Sequence, residues 1–489
     1  DNGAAYELGD DNNGVSSASV DSCTFINNTA SNQGGAVYEG GKTGKATLDI
    51  KNSTFTNNSA KKEGSAIYSG YTLNIDDDTT FTNNMVYMYY TGTLNIGEIK
   101  TFTDLQKAIN MVEGDIYLSS NVTMLDSEAD KFVNGIVVDH LVNLKCDGFT
   151  INANNLGRIF NVTSTADKLN IYNANLINGN ADIGGAIYNT GSVYAYNTNF
   201  INNTAATMGG AVFNNGTLTI ENSKFVNNTP QAIHNSKELH LGIETFTDLQ
   251  NAIDLVDGIL TLDSDIAMTD DEAANFKDGV VINKNIVIDG KGHTIDAKNL
   301  GRIFSIGEGF TVTLTNATLI NGKATEGGAI YNDGSLTLSD VKLSDNAADS
   351  YGGAVFNNGH LVVSDSVFDS NDIVNRGSAS VDYGGAAIYN WYDGVLTVSG
   401  SNFTNNIKNY KNGDRLVGAV TTIGNATVSG SNFVNNSGRW GGAISTAGYL
   451  LAGDDVNTLT VSGSTFKENG GLYGAGIFVA GSDFTVSGI

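Results

Sequence analysis

Gly184-Gly185-Ala186-Ile187-Tyr188-Asn189 is followed by Phe200-Ile201-Asn202-Asn203, and the pair then begins again as Gly209-Gly210-Ala211-Val212-Phe213-Asn214 and Phe225-Val226-Asn227-Asn228. The first motif returns at Gly327-Gly328-Ala329-Ile330-Tyr331-Asn332 and Gly352-Gly353-Ala354-Val355-Phe356-Asn357, with looser copies opening at Gly34, Gly384 and Gly441. The second, Phe-x-Asn-Asn, stands at Phe25, Phe55, Phe81, Phe200, Phe225, Phe403 and Phe433, with degraded forms at Phe368 and Phe466. From Gly184 to Gly209, and from Gly327 to Gly352, is 25 residues. A fixed period of that size marks a solenoid.

Between the motifs lie short alternating runs such as Leu218-Thr219-Ile220-Glu221-Asn222 and Leu336-Thr337-Leu338-Ser339. An apolar residue at every second position puts one face in and one face out, which is a strand. About three such runs fit in one period. A turn of chain carrying three short strands, stacked on the next turn, is a parallel β-helix. Gly-Gly permits a tight corner with positive φ. Successive Phe residues fall one above another as an internal aromatic stack. The paired Asn suits a left-handed turn position and an amide bridge to the next rung. A single Pro among 489 residues fits strands whose ladder bonds run unbroken.

A longer duplication overlies the short one. Thr101-Phe102-Thr103-Asp104-Leu105-Gln106 recurs as Thr245-Phe246-Thr247-Asp248-Leu249-Gln250, and the copies align without gaps to Arg158-Ile159-Phe160 and Arg302-Ile303-Phe304. Each copy opens on an amphipathic helix, expected at about 103–113 and 247–257. In the first, Thr103 is read as the N-cap, Gln106 as its capping-box partner, Leu105, Ala108, Ile109 and Val112 as the apolar stripe and Gly114 as the stop. Such a helix covers the open end and unpaired edge of a first rung. Three blocks follow: 1–97, truncated β-helix rungs; 98–242, a helix-capped module; 243–489, a second helix-capped module with longer inserted loops.

Gly-Gly-Ala-Ile-Tyr-Asn combined with Phe-x-Asn-Asn resembles the repeat of adhesin-like surface proteins of methanogenic archaea, and more distantly that of the chlamydial polymorphic outer-membrane proteins. The Phe102-Thr103-Asp104-Leu105-Gln106 helix, the Ile288-Asp289-Gly290-Lys291-Gly292-His293-Thr294-Ile295 turn and Gly301-Arg302-Ile303-Phe304 resemble the archaeal group more. The resemblance covers almost the whole chain. It implies an all-β, pectin-lyase-like right-handed parallel β-helix displayed at the cell surface and mediating attachment.

Composition narrows the partners. Lys and Arg total 26 against 52 Asp and Glu, a formal charge of −26. Nucleic acid needs a basic surface and is excluded as a partner. No apolar run approaches the roughly 20 residues that span a bilayer. The chain opens and closes inside the repeat pattern, so an export signal and a membrane or cell-wall anchor are expected outside this segment. Cys23 and Cys146 lie in different blocks and read as two buried small side chains rather than as a disulfide.

Many β-helices cleave acidic polysaccharides, so a lyase or hydrolase is the catalytic alternative. Its chemistry needs clustered carboxylates with a basic proton acceptor, or a carboxylate pair across a groove. The five Arg are Arg158, Arg302, Arg376, Arg415 and Arg439. Arg158 and Arg302 occupy one position in the two copies and read as structural groups satisfying carbonyls. His140, His234, His240, His293 and His360 are scattered and lack the spacing of a zinc site. Asp10-Asp11, Asp76-Asp77-Asp78, Asp270-Asp271-Glu272 and Asp454-Asp455 match no calcium motif and admit weak Ca²⁺ binding at most. No catalytic residue, metal site or cofactor is therefore assigned.

Asn-x-Ser/Thr occurs at Asn27, Asn52, Asn57, Asn121, Asn161, Asn202, Asn215, Asn227, Asn316, Asn402, Asn425 and Asn435, the glycosylation candidates of an exported chain. Recognition is expected at exposed aromatics on loops: Trp391 and Tyr392 between an Asn turn and an Asp-Gly turn, Trp440, and Tyr89 and Tyr90 in the run Met85–Tyr90. The functional expectation is a non-catalytic extracellular adhesin or stalk, attaching to a glycan or protein receptor on a host or partner cell, with self-association as a further property. A structural subunit of a surface filament or layer is the second expectation.

Overall fold

The computed structural model describes residues 6–8, 17–40, 47–70, 72–76, 78–84, 88–90, 94–95, 98–112, 114–163, 168–375, 383–407, 411, 416–446, 458–479 and 483–487. The chain forms two compact units, Asp1–Leu239 and His240–Ile489. Each is a parallel β-helix, and the all-β solenoid expectation holds.

One rung of the second unit shows how the sequence builds it. Ile330–Asn332 pairs in parallel with Phe304–Ile306 on one side and Val355–Asn357 on the other. Ser335–Ser339 lies between Thr311–Thr315 and His360–Ser364. Lys342–Ser344 lies between Thr318–Ile320 and Val367–Asp369. A fourth side, Ala347–Tyr351, pairs with Lys323–Glu326. Alternation then settles which face is core: Leu336 and Leu338 point inward and are buried, as Leu48 and Ile50 are in the first unit.

The two glycines of the corner motif are required for different reasons. Gly352 has φ +64, a conformation that L side chains rarely adopt. Gly353 has no such φ, but a Cβ there would stand 2.3 Å from the Ala386 carbonyl oxygen. The first glycine turns the chain and the second lets neighbouring rungs meet.

Phe-x-Asn-Asn resolves into three jobs. Phe368, Phe403, Phe433 and Phe466 stack inside the solenoid with ring centroids 4.8, 4.7 and 5.1 Å apart. The first Asn takes the left-handed conformation, with φ +54 at both Asn405 and Asn435. The second forms a buried amide ladder. Both the main-chain N–H and the Nδ2 of Asn371 donate to Asn406 Oδ1 at 3.1 Å, and Asn406 repeats this to Asn436 at 3.1 and 2.8 Å. A second ladder runs from Asn332 Nδ2 to Asn357 Oδ1 and from Asn357 Nδ2 to Asn390 Oδ1, at 2.6 and 2.7 Å.

Helices α1 (Phe102–Met111) and α3 (Phe246–Leu255) occupy the expected places, but their caps differ from the expectation. The N-cap is Thr101, not Thr103, and its capping-box partner is Asp104, not Gln106. An ionised carboxylate is the better acceptor at a helix start, where the macrodipole is positive. Gln106 instead clamps the outward strand residue Val137, accepting its N–H at 2.7 Å and donating to its carbonyl at 2.9 Å. The helix closes at Val112, before Gly114. A short further helix, α2 (Ala129–Phe132), brings Phe132 edge-on to Phe102. Among the described residues no helix is long and apolar enough to cross a membrane.

Candidate functional site

The densest constellation of partly exposed, chemically distinctive side chains is an aromatic corner of the second unit. Strands Ile330–Asn332, Val355–Asn357 and Ile388–Asn390 point Tyr331, Phe356 and Tyr389 outward, one above another. Tyr331 stacks on Phe356 at 5.1 Å, and Phe356 lies parallel to Tyr389 at 6.0 Å. Two further rings, 6.2 Å from each other, close over this column. Tyr351, at the end of its strand, lies 4.6 Å from Tyr389. Trp391, just past Asn390, lies 6.0 Å from Phe356 and 5.8 Å from Tyr389. Phe356 and Tyr389 are thereby buried, while Tyr331, Tyr351 and Trp391 remain partly exposed. Tyr392 stands edge-on to Trp391 at 5.4 Å and is 37% exposed.

One carboxylate and one guanidinium adjoin the rings. Glu326 is the register partner of Tyr351 on the preceding rung. Burial pushes its carboxyl above the usual range, against the opposing pull of Arg302. Arg302 lies 5.1 Å over the Tyr331 ring, and Nε, Nη1 and Nη2 donate to the carbonyls of Gly327, Asp278 and Glu326 at 3.0, 2.9 and 2.9 Å. Arg158 does the same with Gly184, Asn134 and Ile183. Both guanidinium groups hold carbonyls, as their position in the duplicated modules suggests. Tyr389, buried beneath its neighbours, has its phenol pushed up by the loss of water.

Trp440 lies in a separate cluster of the same unit. It stacks on Tyr473 at 4.3 Å and 13°, tilts against Phe478 at 5.1 Å, and has the Arg439 guanidinium 5.4 Å over its ring. In the first unit Tyr89 continues an outward tyrosine column, 5.4 Å from Tyr68, which is 5.0 Å from Tyr38. Residues 85–87 and the side chain of Tyr90 lie outside the described residues. Trp391 and Tyr392 thus come together, whereas Trp440 and Tyr89 stand apart.

Tyr351 and Glu326 escaped the sequence reading as site residues. Their signal was positional: Glu326, Tyr351, Trp440 and Tyr473 each immediately precede a corner glycine. Trp391 is a loop residue, as expected, and its ring packs on the column.

The twelve sequon asparagines divide by exposure. Asn27, Asn52, Asn57, Asn121, Asn202, Asn227, Asn316, Asn425 and Asn435 are exposed, and Asn161, Asn215 and Asn402 are half-buried. Asn316 also lines a polar cleft of ≈ 480 Å³ with Lys291, Asp340, Lys342 and Asp365. Its amide donates to Asp289 Oδ1 at 3.1 Å.

The remaining candidates have structural partners. Glu272 accepts the Thr247 N–H at 2.6 Å and the Thr269 N–H at 3.0 Å, tying its loop to the start of α3. Burial would raise its carboxyl, yet these bonds outweigh burial and hold it at about 2. His240 meets Asp263 at 2.6 Å, and His234 lies flat on Phe213 at 5.3 Å. Among the described residues no three His, Cys, Asp or Glu converge as a metal site. Asp10, Asp11, Asp77, Asp454, Asp455, Arg376 and Arg415 lie outside the described residues. Both cysteines are free. Cys146 is buried as expected, its thiol pushed up to about 12 by burial. Cys23 corrects the expectation: it is exposed, in the turn between strands Ser17–Asp21 and Thr24–Ile26.

Residues 22–38 and 52–70 match the family model described as the Chlamydia polymorphic membrane protein repeat. Each match spans one Phe-x-Asn-Asn turn and the glycine corner that follows it. No curated protein matches the chain.

Proposed function

We propose that this chain is the exposed β-helical part of a non-catalytic surface adhesin or stalk. The observation that carries the reading is the pair of matches to the Chlamydia polymorphic membrane protein repeat, in a chain whose other rungs repeat the same two motifs. A membrane-protein repeat with an acidic, sequon-rich exterior suits an outer-membrane or cell-surface setting, with the described rungs facing outward. The archaeal adhesin-like proteins are the nearer kin on the helix and Gly-Arg-Ile-Phe segments. The aromatic corner of the second unit supports attachment rather than turnover: it offers rings and one half-buried carboxyl, while its guanidinium is held by three carbonyls. The partners are glycans or proteins on another cell. The test is to apply the full chain, with Ca²⁺ present, to cell surfaces and a polysaccharide panel, scoring retained protein and released product. Retention without product is the expected result; product release would refute the reading.

A further inference from the structure

The duplication supplies an internal control for the aromatic corner. Its framework is the same in both units: Tyr188 stacks on Phe213 at 5.3 Å as Tyr331 does on Phe356, and Arg158 lies 5.2 Å over Tyr188 as Arg302 lies over Tyr331. The register then identifies what has changed. Ile183 pairs with Met208 where Glu326 pairs with Tyr351. His234 follows Phe213 where Tyr389 follows Phe356. Ser236 N–H donates to the Asn214 carbonyl where Trp391 N–H donates to the Asn357 carbonyl. One carboxylate and three large aromatic rings have thus been placed on a scaffold that forms without them.

We propose that the corner framed by Tyr351, Trp391 and Tyr392, with Glu326 beside Tyr351, is a binding site for an uncharged saccharide. This deepens the attachment reading and rests on it for its biological setting. Partly exposed rings set at steep angles, 48° between Tyr351 and Trp391 and 87° between Trp391 and Tyr392, present faces on which the C–H side of a sugar packs. Phenolic groups and the Glu326 carboxyl supply polar atoms at the rim, and a carboxyl already stripped of part of its water accepts a sugar hydroxyl at little further cost. Charge selects the class. The corner holds Glu326, with Asp333 and Asp393 close in sequence to its rings. Arg302, the guanidinium over the Tyr331 ring, is turned to main-chain carbonyls, and the chain carries −26 overall. Uronic and sialic acids are repelled from such a surface, whereas neutral and N-acetylated sugars are not. The sequons of the second unit, Asn316, Asn402, Asn425 and Asn435, all fall off the strands that bear these rings. Of these, Asn425 adjoins the corner, its carbonyl accepting from Asn390 Nδ2 at 3.2 Å.

The test uses the full chain and its tryptophan emission, to which only Trp391 and Trp440 contribute. Chitotetraose, cellotetraose, mannotetraose and polygalacturonate are titrated in turn. At least one neutral oligosaccharide is expected to shift the emission, and polygalacturonate is expected to do nothing. The variant Glu326→Ile/Tyr351→Met/Trp391→Ser carries residues that the first unit already accommodates at the same places. By calorimetry it should bind at least about tenfold more weakly, the scale of one lost aromatic contact with its buried area. Tyr351→Met alone keeps both tryptophans and should weaken the emission response in the same direction. Silence with every neutral oligosaccharide, a response to polygalacturonate alone, or wild-type affinity in the triple variant would overturn the site. Retention on cells is scored separately. Retention by the triple variant, with oligosaccharide binding lost, keeps the site and moves attachment to another face. Oligosaccharide binding without retention of the wild type keeps the site and refutes the adhesin.

Discussion

Replacing Asn371 by Ala should be among the most damaging single changes in the second unit, although the residue touches no candidate site. Asn371 is fully buried. Its Oδ1 accepts two bonds from Asn346, from the main-chain N–H and from Nδ2, both at 3.1 Å. Its Nδ2 donates to the Leu343 carbonyl at 3.0 Å and to Asn406 Oδ1 at 3.1 Å. Truncation removes all four bonds and leaves the Asn346 N–H unpaired where water does not reach. At about 1 kcal/mol net for each of the other three bonds, plus 1–3 kcal/mol for the stranded buried donor, the loss is roughly 4–6 kcal/mol. The adjacent rungs can shift to recover part of this, so about 3–5 kcal/mol is expected. Asn405→Ala is the matched control. Asn405 is the first residue of its Asn pair, exposed, with φ +54. Its penalty combines the left-handed backbone, about 1–2 kcal/mol, which Asn405→Gly should relieve, with the loss of two exposed bonds, one donated to Asp369 Oδ1 and one accepted from Asn435 Nδ2, both at 2.8 Å. Hydrogen exchange on the full chain reads both variants: Asn371→Ala should accelerate exchange at the Asn346 amide and at the strand amides beside it, while Asn405→Ala acts less and more locally. If Asn371→Ala protects its neighbours as well as the wild type does, the buried ladder is not what holds the rungs together.

Acid should loosen the α3 cap in a defined window. The Glu272 carboxyl is held at about 2 against an ordinary value of 4.5, so its stabilisation is complete above the ordinary value and disappears as pH falls through 2. With allowance for nearby solvent, about 2 kcal/mol is at stake; Glu272→Gln should be weaker near neutrality and flatter across that window in pH-dependent unfolding. Phe403→Ala, in the middle of the internal stack, should cost about 3–5 kcal/mol and lower the thermal midpoint, whereas Phe403→Leu should cost about 1 kcal/mol. Gly353→Ala sets a Cβ 2.3 Å from the Ala386 carbonyl and 2.5 Å from that of Asp372; an overpacking cost of about 3 kcal/mol should appear as lost exchange protection in the rung of Gly353 and in the next, which holds both carbonyls, and wild-type protection would count against the close approach.

The repeat pattern was sufficient for the strands because each rung writes its own core. Phe, buried Asn and the glycine corner recur at one spacing, and each has a single structural solution. The helix caps were less legible. Thr101-Phe102-Thr103-Asp104-Leu105-Gln106 contains two overlapping Thr-x-x-acceptor patterns, and only the ionised Asp104 at the end of the first distinguishes it from the second. The aromatic corner was half visible. Trp391 stood out by composition, but Tyr351 and Glu326 belong with it only through pairing across rungs. Pairing of that kind becomes visible once the residue before each corner glycine is seen as one column. Cys23 misled because it falls on a turn between two strands, where its side chain is exposed.

The asparagine ladder also has a sense of direction. Asn28 donates to Asn58 and Asn58 to Asn84; Asn203 donates to Asn228; and Asn346, Asn371, Asn406 and Asn436 each donate to the next, ending on Asn469. None of these links runs backward. The side-chain dipoles in a column therefore point one way, and each polarises its successor. Such a column behaves as an oriented wire: a whole rung spliced in phase lengthens it without reversing a single dipole, whereas a fragment of a rung would break the circuit. Growth by duplication of complete turns is the kind of change this electrical order tolerates, and two near-copies of one module in a single chain are what it leaves behind.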